Sequence, residues 1–230
     1  MSLPIVLITG QLLTDAVWQP LLDAWAARTV VVADNQSDDT ITGFAQRLLD
    51  SAPPKFVLIG HAMGGFVAFE VMRRAPERVA KLALISTLAS ADGPAQTARR
   101  QGYIDLVESG QFDQVVEERI PILFPEDKRN DARLLGIARQ MASDTGAETF
   151  LAQQHAIMAR IDSRPRLGEI AVPTLLIWGE KDGITTRAHH DEIADAIPGA
   201  RLEIVAGAGH LPTVEAPEVV VRLLSAFVDQ

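Results

Sequence analysis

Short apolar runs alternate with amphipathic stretches along most of this chain. Six runs of strand length, rich in Val, Ile and Leu, predict strands over residues 5–9, 29–33, 56–59, 82–85, 174–178 and 201–205. Apolar residues at helical spacing predict helices over residues 18–27, 41–52, 62–74, 187–196 and 217–228. Continuous apolar strands alternating with helices are typical of a doubly wound, mostly parallel sheet flanked by helices, so the sequence predicts an α/β fold.

One stretch lacks this alternation. Residues 91–171 contain no convincing buried strand, and their apolar positions follow a helical period. We therefore predict a core formed by residues 1–90 and 172–230, with residues 91–171 as a helical cap. Open α/β sheets bind ligands at the carboxyl ends of their strands, and pockets favour domain interfaces, so we expect the cap to cover a site there. The alternative is a helical subdomain with a purely structural role.

Composition narrows the class of partner. The chain has 230 residues, 47% of them hydrophobic, with a formal net charge of −9 and an isoelectric point near 5.0. This acidity argues against nucleic acid and against anionic membrane surfaces, both of which need a basic face. Ordinary solubility explains the acidity, and we expect a small-molecule partner; the sequence does not indicate the oligomeric state.

Other features exclude whole kinds of chemistry. The chain has no cysteine, which excludes disulfides, thiolate catalysis and cysteine metal sites. We see neither a secretory leader pattern at the N-terminus nor an apolar stretch of about 20 residues, and we therefore expect a soluble, cytoplasmic protein. His189 and His190 lack a metal-ligand pattern, so we predict them to be surface residues of a helix and expect no metal and no cofactor.

A glycine-rich turn is the most specific motif. GHAMGG at residues 60–65 follows a predicted strand and precedes a predicted helix. This is the setting of a nucleophile elbow, G-x-S-x-G, in which small flanking residues permit a sharp turn. Gly60 and Gly64 occupy the flanks, but Ala62 stands where the motif has serine. A plain strand-to-helix turn is the alternative interpretation.

Two further polar residues follow predicted strands at the same edge of the sheet. Asp182 ends the segment WGEKD at residues 178–182, and His210 lies in GAGHLP at residues 207–212. Alone, Asp182 is typical of a turn or a helix cap, and His210 of a surface loop. Together with Ala62 they follow the order nucleophile, acid, histidine, which is that of a known hydrolase triad.

On the motifs GHAMGG, GEKD and GAGHLP, the chain resembles the α/β-hydrolase fold superfamily, specifically its small, cap-bearing, esterase-like members. The resemblance runs from residue 5 to the C-terminus. It implies that His210 takes the proton of the nucleophile and later gives it to the leaving group. It also implies that Asp182 orients the imidazole and stabilises its charged form.

The same resemblance implies an oxyanion hole made of backbone N–H groups. One donor would be Met63, which follows the elbow position, and the other would lie after the first strand. We predict Gln11 as the second donor. Because many relatives have His-Gly where this chain has Thr9-Gly10, Leu12 is an alternative.

We also identify candidate lining residues for the pocket. The cap candidates could equally belong to the core of the cap, and a histidine beside the elbow is expected to pack or hydrogen-bond near the site rather than react. The candidates are His61, Leu12, Tyr103, Phe150, His155, Met158 and Leu211.

The alanine admits three interpretations. The favoured one is a Ser→Ala variant of a serine hydrolase of carboxylic esters, a catalytically dead form of an enzyme that works through an acyl-enzyme. The others are a natural ligand-binding pseudo-enzyme and an enzyme, for example a lyase, that uses His210 and water without covalent catalysis. We favour the first because Asp182, His210 and both elbow glycines are present. Lactone, thioester, amide and C–C bond hydrolysis remain open as related chemistries.

Overall fold

The computed structural model describes residues 3–230; the first two residues of the predicted core lie outside this range. A six-stranded parallel sheet forms the centre of the fold, in the order β2-β1-β3-β4-β5-β6. The strands are β1 Ile5–Ile8, β2 Val30–Val32, β3 Phe56–His61, β4 Val79–Ile85, β5 Thr174–Gly179 and β6 Arg201–Val205. The predicted α/β-hydrolase type of sheet is confirmed, and each predicted strand falls on an observed one.

Helices flank the sheet and fill the connection between β4 and β5. Those of the sheet layers are α1 Gln19–Ala24, α2 Ile41–Ser51, α3 Met63–Arg74, α7 Arg187–Ala196, α8 Pro212–Glu215 and α9 Pro217–Asp229. The β4–β5 connection contains α4 Pro94–Glu108, α5 Phe112–Leu123 and α6 Ala132–Met158. Short 3-10 turns occur at Asp15–Trp18, Pro76–Arg78, Glu126–Lys128 and Arg164–Glu169.

Alternate residues of each central strand enter two separate hydrophobic clusters. Ile5, Leu7 and Ile59 belong to the cluster beneath α1, α9 and the β4–β5 helices, whereas Val6 and Leu58 belong to the cluster beneath α2, α3 and α7. The period of two along a strand sends neighbouring side chains to opposite faces. Both faces are covered, which explains why these strands are apolar at every position.

The edge strands of the sheet are more exposed than the central ones. β2 is only half-buried along its length, and β6 exposes Ile204, because each is paired on one side only. The helix predicted over residues 18–27 is a 3-10 turn followed by the six-residue α1. In α6, Gly146 has φ 76° and ψ 169°, so the helix is broken at this glycine and then resumes.

The strand order places the site. β1 pairs with β2 on one side and β3 on the other, so the chain reverses its winding direction between β1 and β3. Ligands of open α/β sheets bind outside the carboxyl ends of the strands at such a reversal. The loop after β1 and the turn after β3 therefore face each other across this crevice. Within residues 3–230, no helix combines the length and the apolar character that crossing a membrane requires.

Candidate active site

Ala62 occupies the strained turn between β3 and α3. Its backbone has φ 52° and ψ −112°, a conformation that residues with a side chain rarely adopt. The turn is held by hydrogen bonds from the Ala62 N–H to the Ile85 carbonyl at 2.9 Å and from the Thr87 hydroxyl to the Ala62 carbonyl at 2.7 Å. Strain of this kind costs about 1–3 kcal/mol and persists where the surroundings enforce it.

The flanking glycines are required by contact distances. A Cβ on Gly60 would lie 2.5 Å from the carbonyl oxygen of Gly64. A Cβ on Gly64 would overlap the carbonyl of Ile8 on β1, and one on Gly65 would overlap the side chain of Thr87. Gly65 was not identified from the sequence as a required glycine, although a Cβ there would clash as severely as one on Gly60 or Gly64.

Asp182 and His210 meet at the carboxyl edge of the sheet. The Nδ1 atom of His210 lies 2.9 Å from Oδ2 and 3.1 Å from Oδ1 of Asp182. The carboxylate also accepts the N–H groups of Ile184 at 2.8 Å and Thr185 at 3.1 Å, together with the Thr185 hydroxyl. The Asp182 side chain has no exposed surface.

The charge of this pair follows from its surroundings. Burial opposes ionisation of the Asp182 carboxyl, but the charge of His210 and the hydrogen bonds from His210 and Thr185 outweigh it and lower its pKa to about 2. An ionised carboxylate beside Nδ1 requires that nitrogen to carry the proton. Nε2 of His210 is then the basic atom, and the ring lines the cavity that contains Ala62.

The backbone of His210 is fixed from three sides. Its N–H donates to the Leu123 carbonyl at 2.8 Å, and its carbonyl accepts Nε2–H of His61 at 2.9 Å. The neighbouring Gly209 N–H donates to the buried carboxylate of Glu215 at 2.9 Å. Burial, and then the nearby His210, lowers the pKa of His61 to about 3, so His61 is a neutral residue that holds the His210 loop. This agrees with the expected packing role of His61.

The loop after β1 is held by a buried amide network. Gln153, fully buried on α6, accepts the Leu12 N–H at 3.1 Å and donates to the Asn35 carbonyl at 2.9 Å. The Asn35 amide in turn donates to the Gly10 carbonyl at 3.0 Å. The Leu12 N–H is thereby occupied, while the Gln11 N–H has no partner within the described residues. Leu12 has φ 59°, a conformation that residues with a side chain rarely adopt.

The cavity between the sheet edge and α4–α6 has a volume of about 150 Å³. Its wall combines core and β4–β5 helix residues: Gln11, Leu13, Ala62, Met63, Phe66, Ser86, Thr87, Leu88, Arg99, Arg100, Tyr103, Arg119, Ile122, Leu123, Ile157, Arg160, Gly183, Ile184, Thr185, His210 and Leu211. The helices predicted as a cap therefore supply one side of the space above Ala62.

The expected lining residues divide into two groups. Tyr103 and Leu211 are on the cavity wall, whereas His61 and Leu12 are buried behind it. The lining expectation was wrong for three residues of α6. Phe150 is fully buried and packs on Phe112, and His155 is exposed. Met158 is half-buried and does not line the cavity, whereas its neighbour Ile157 does. The reason is that the helix presents a different face to the cavity from the one expected.

Several residues of this site were not found by sequence reasoning. Ser86 follows β4 with φ 48°, lines the cavity, and has a buried hydroxyl without a partner within residues 3–230. Its position after a predicted strand was a usable signal. Gln153 and the cavity arginines carried no such signal, since a polar residue in an amphipathic helix is usually solvated.

The histidines of α7 differ from the prediction. His190 is fully buried, with Nδ1 at 3.0 Å from the Thr186 carbonyl and its ring against Trp178, so the expected surface position was wrong. His189 instead completes a capping box with Thr186 at the start of the helix. Across residues 3–230, no three His, Asp or Glu side chains are grouped in a way that could hold a metal ion.

An elbow, an Asp–His pair and a covering helical layer at one sheet edge are typical of hydrolases built on this fold. A sequence model of the alpha/beta hydrolase family matches residues 5–223, and the chain belongs to this family.

Individual relatives are hydrolases. The chain is 28% identical to a pimeloyl-acyl-carrier-protein methyl ester esterase of Photobacterium profundum, over 97% of this chain and 94% of that protein. It is 29% identical to a protein of Azorhizobium caulinodans described as a carbamate hydrolase, RutD, over 97% and 90%. Its fold is similar to that of a malate-bound thermophilic esterase from Thermogutta terrifontis, with a TM-score of 0.90, 27% identity, and coverage of 100% of this chain and 90% of that one. These relatives support a hydrolase.

Proposed function

We propose that this site hydrolyses small carboxylic esters when position 62 carries a serine, and that Ala62 makes this chain a substrate-binding, catalytically dead form of that enzyme. The observation that carries the proposal is the Asp182–His210 hydrogen bond of 2.9 Å, with His210 and Ala62 on the wall of one cavity. The esterase relatives support the same reaction class.

The proposed mechanism assigns each group one task. The hydroxyl at position 62 attacks the ester carbonyl, and Nε2 of His210 takes its proton and delivers it to the departing alkoxide. A water molecule, deprotonated by His210, then cleaves the acyl-enzyme and releases the acid. Asp182 stabilises the imidazolium in both steps.

Charge that develops on the carbonyl oxygen needs donors beside position 62. The N–H of Met63 lies in the first turn of α3, where backbone N–H groups have no helical partner. We propose Gln11 as the second donor because its N–H has no partner among residues 3–230, whereas that of Leu12 is bonded to Gln153. Removal of one such donor typically costs about 10²–10³-fold in kcat.

The strain at position 62 supports a reactive role. A pocket that only binds a ligand gains nothing from an alanine with a positive φ, because such a turn is strained by about 1–3 kcal/mol and presents no reactive group. The same turn aims a longer side chain at the cavity, where His210 is also found.

Reversion tests the proposal. We expect Ala62→Ser to hydrolyse p-nitrophenyl esters at a rate on the order of 10⁴–10⁶ times that of the Ala62 protein, and His210→Ala in that background to abolish the gain. Ala62→Gly is the matched control, because it relieves the positive φ without adding an oxygen. A revertant that is inert on ester, lactone, thioester and amide substrates would refute the hydrolase. Activity of the unchanged Ala62 protein that depends on His210 would instead favour non-covalent chemistry.

A further inference from the structure

The cavity is cationic although the chain is acidic. Four arginines line its wall, Arg99, Arg100, Arg119 and Arg160, and neither aspartate nor glutamate is among the lining residues. The whole chain has a formal net charge of −9. A concentration of positive charge in a concave, partly apolar site raises the local concentration of anions.

Two of these arginines share one carboxylate. Arg160 and Arg100 both pair with Asp92, at 2.8 Å and 2.5 Å. Arg160 also donates to the carbonyls of Ser90 and Ile157, so most of its N–H groups are bonded to the protein. These two residues form a structural cluster that fixes the start of α4 against the end of α6.

Arg119 has no such partner. Its Nη2 donates to Oε1 of Gln11 at 2.9 Å, but its Nε is buried without a hydrogen-bond acceptor, and no carboxylate of the described residues pairs with it. Its guanidinium lies 5.3 Å from the ring centre of Tyr103 and 5.6 Å from that of Phe150. A buried cation is costly unless it is paired, and aromatic faces compensate only in part.

Arg119 is nevertheless charged at neutral pH. Burial, and then the neighbouring charge of Arg100, lowers its pKa to about 10. The cavity wall therefore carries a cation at neutral pH, and its N–H donors are only partly bonded by the described residues. Arg99, an exposed residue of the cavity wall, adds a second guanidinium that forms no ion pair within residues 3–230.

Arg119 is also tied to the reacting position. Gln11 accepts a hydrogen bond from the Arg119 guanidinium and follows Gly10 in the loop after β1. This loop packs closely on the elbow, since a Cβ added to Gly10 would lie 3.0 Å from the Cβ of Ala62. An anion on Arg119 would thus lie in the same cavity as position 62, with Gln11 on the wall beside Arg119. The apolar surfaces of Leu13, Phe66 and Tyr103 line the space around them.

We infer that the ligand of this cavity is a small ester with a free carboxylate, bound through that carboxylate by Arg119 with Arg99 at the outer wall. The ester half of this inference rests on the proposed function; the carboxylate half rests on the unpaired guanidinium. A planar guanidinium matches a carboxylate with two parallel hydrogen bonds, which gives both affinity and orientation. The cavity volume of about 150 Å³ fits a ligand with a short chain.

Binding to the Ala62 protein tests the carboxylate half without any catalysis. We expect monomethyl glutarate to bind at least about 10-fold more tightly than dimethyl glutarate in titration calorimetry. Arg119→Gln should reduce this preference by about 10- to 100-fold, the loss typical of a hydrogen bond to a charged group. Arg139→Gln is the matched control, because Arg139 pairs with Glu117 on the exposed surface outside the cavity, and it should keep the preference.

Several results would overturn the inference. Equal binding of the two esters, or an unchanged preference in Arg119→Gln, removes its basis, and inorganic phosphate binding as tightly as monomethyl glutarate would make the cavity a general anion site. If Arg119→Gln fails to fold, Arg119→Lys provides the test, because lysine keeps the charge but lacks the planar guanidinium. If Arg119→Lys prefers monomethyl over dimethyl glutarate as strongly as the unchanged protein does, a specific role for the guanidinium is refuted.

The Ala62→Ser variant separates this inference from the proposed function. Hydrolysis of neutral esters with no preference for the half-ester would support the proposed hydrolase function and refute the inference that the ligand carries a carboxylate. No hydrolysis of any ester, combined with Arg119-dependent binding of monomethyl glutarate, would refute the hydrolase and sustain the anion site. A preference in kcat/KM for the half-ester that Arg119→Gln lowers about 10- to 100-fold would support both.

Discussion

Gln153 of α6 joins the β4–β5 helices to the loop that carries the proposed oxyanion donor. Its amide is fully buried and bonds the Leu12 N–H at 3.1 Å and the Asn35 carbonyl at 2.9 Å. Gln153→Met keeps the length and volume of the side chain but removes both polar atoms. We expect this change to detach the loop after β1 and to destabilise the whole fold.

The magnitude follows from what is left unpaired. A buried donor or acceptor that loses its partner costs about 1–3 kcal/mol, so two such groups cost about 2–6 kcal/mol. With a urea m-value of about 2–3 kcal/mol/M, the midpoint of unfolding should fall by about 1–3 M. The cost is large relative to the 5–15 kcal/mol of a typical domain, at about 40% of the total when the middles of the two ranges are compared.

A matched substitution on the same helix provides the control. Gln140 is exposed on α6, and within the described residues its side chain bonds only Asp144. Gln140→Met should therefore change the free energy of unfolding by less than about 0.5 kcal/mol. Urea unfolding followed by circular dichroism measures both variants. Equal midpoints for Gln153→Met and Gln140→Met would refute the network argument.

The same variant has a kinetic readout in the Ala62→Ser background. Because the Gln11 N–H would bind the oxygen only after charge develops, a displaced loop should lower kcat more than it raises KM. An increase in KM with kcat unchanged would mean that the loop positions the substrate rather than the transition state.

Three further predictions concern stability. Gly64→Ala places a methyl group on a β1 carbonyl and should cost more than about 3 kcal/mol, whereas Gly136→Ala, in open space on α6, should be neutral or stabilising by up to about 1 kcal/mol in the same urea assay. Burial lowers the pKa of His61 in the folded protein to about 3, whereas the pKa of an unfolded histidine is about 6.5. Between these two values the unfolded chain binds a proton at this residue and the folded chain does not. The free energy of unfolding should therefore fall by up to about 1.4 kcal/mol per pH unit as pH drops below about 6.5. His61→Gln should flatten that slope and exposed His155→Gln should not; equal slopes would contradict the burial argument. The pKa of Asp182, lowered to about 2, gives stability that is present above about pH 4 and is lost as pH falls to about 2, and Asp182→Asn should remove this acid limb from the stability–pH curve.

Strand and helix positions were largely predictable from local patterns. All six apolar runs are strands in the structure. The four central ones are buried on both faces and therefore need apolar residues at nearly every position, whereas β2 and β6 are edge strands and are partly exposed. The predicted first helix is shorter than expected, because α1 ends at Ala24 rather than at residue 27.

Within the site, motifs identified the residues that follow strands. Ala62, Asp182 and His210 each lie at a strand end, where chain order and the parallel topology together imply a common edge. The lining of the cavity was much less predictable. Phe150 and His155 were expected there, and Arg119 was not, because the orientation of α5 and α6 over the sheet decides which helical face meets the cavity.

The sequence alone determined the class of fold, the chain order of the Ala62, Asp182 and His210 positions, and the absence of an oxygen at the elbow. Those features depend on local periodicity, on glycine spacing and on the identity of single residues. Only the tertiary structure decided that Gln153 occupies the Leu12 N–H. It also decided that, among the described residues, the Gln11 N–H has no partner and Arg119 faces the cavity without a counter-charge. These depend on contacts between residues more than 100 positions apart in the chain, as in the Gln153–Leu12 and Arg119–Gln11 pairs, and such contacts leave no local pattern.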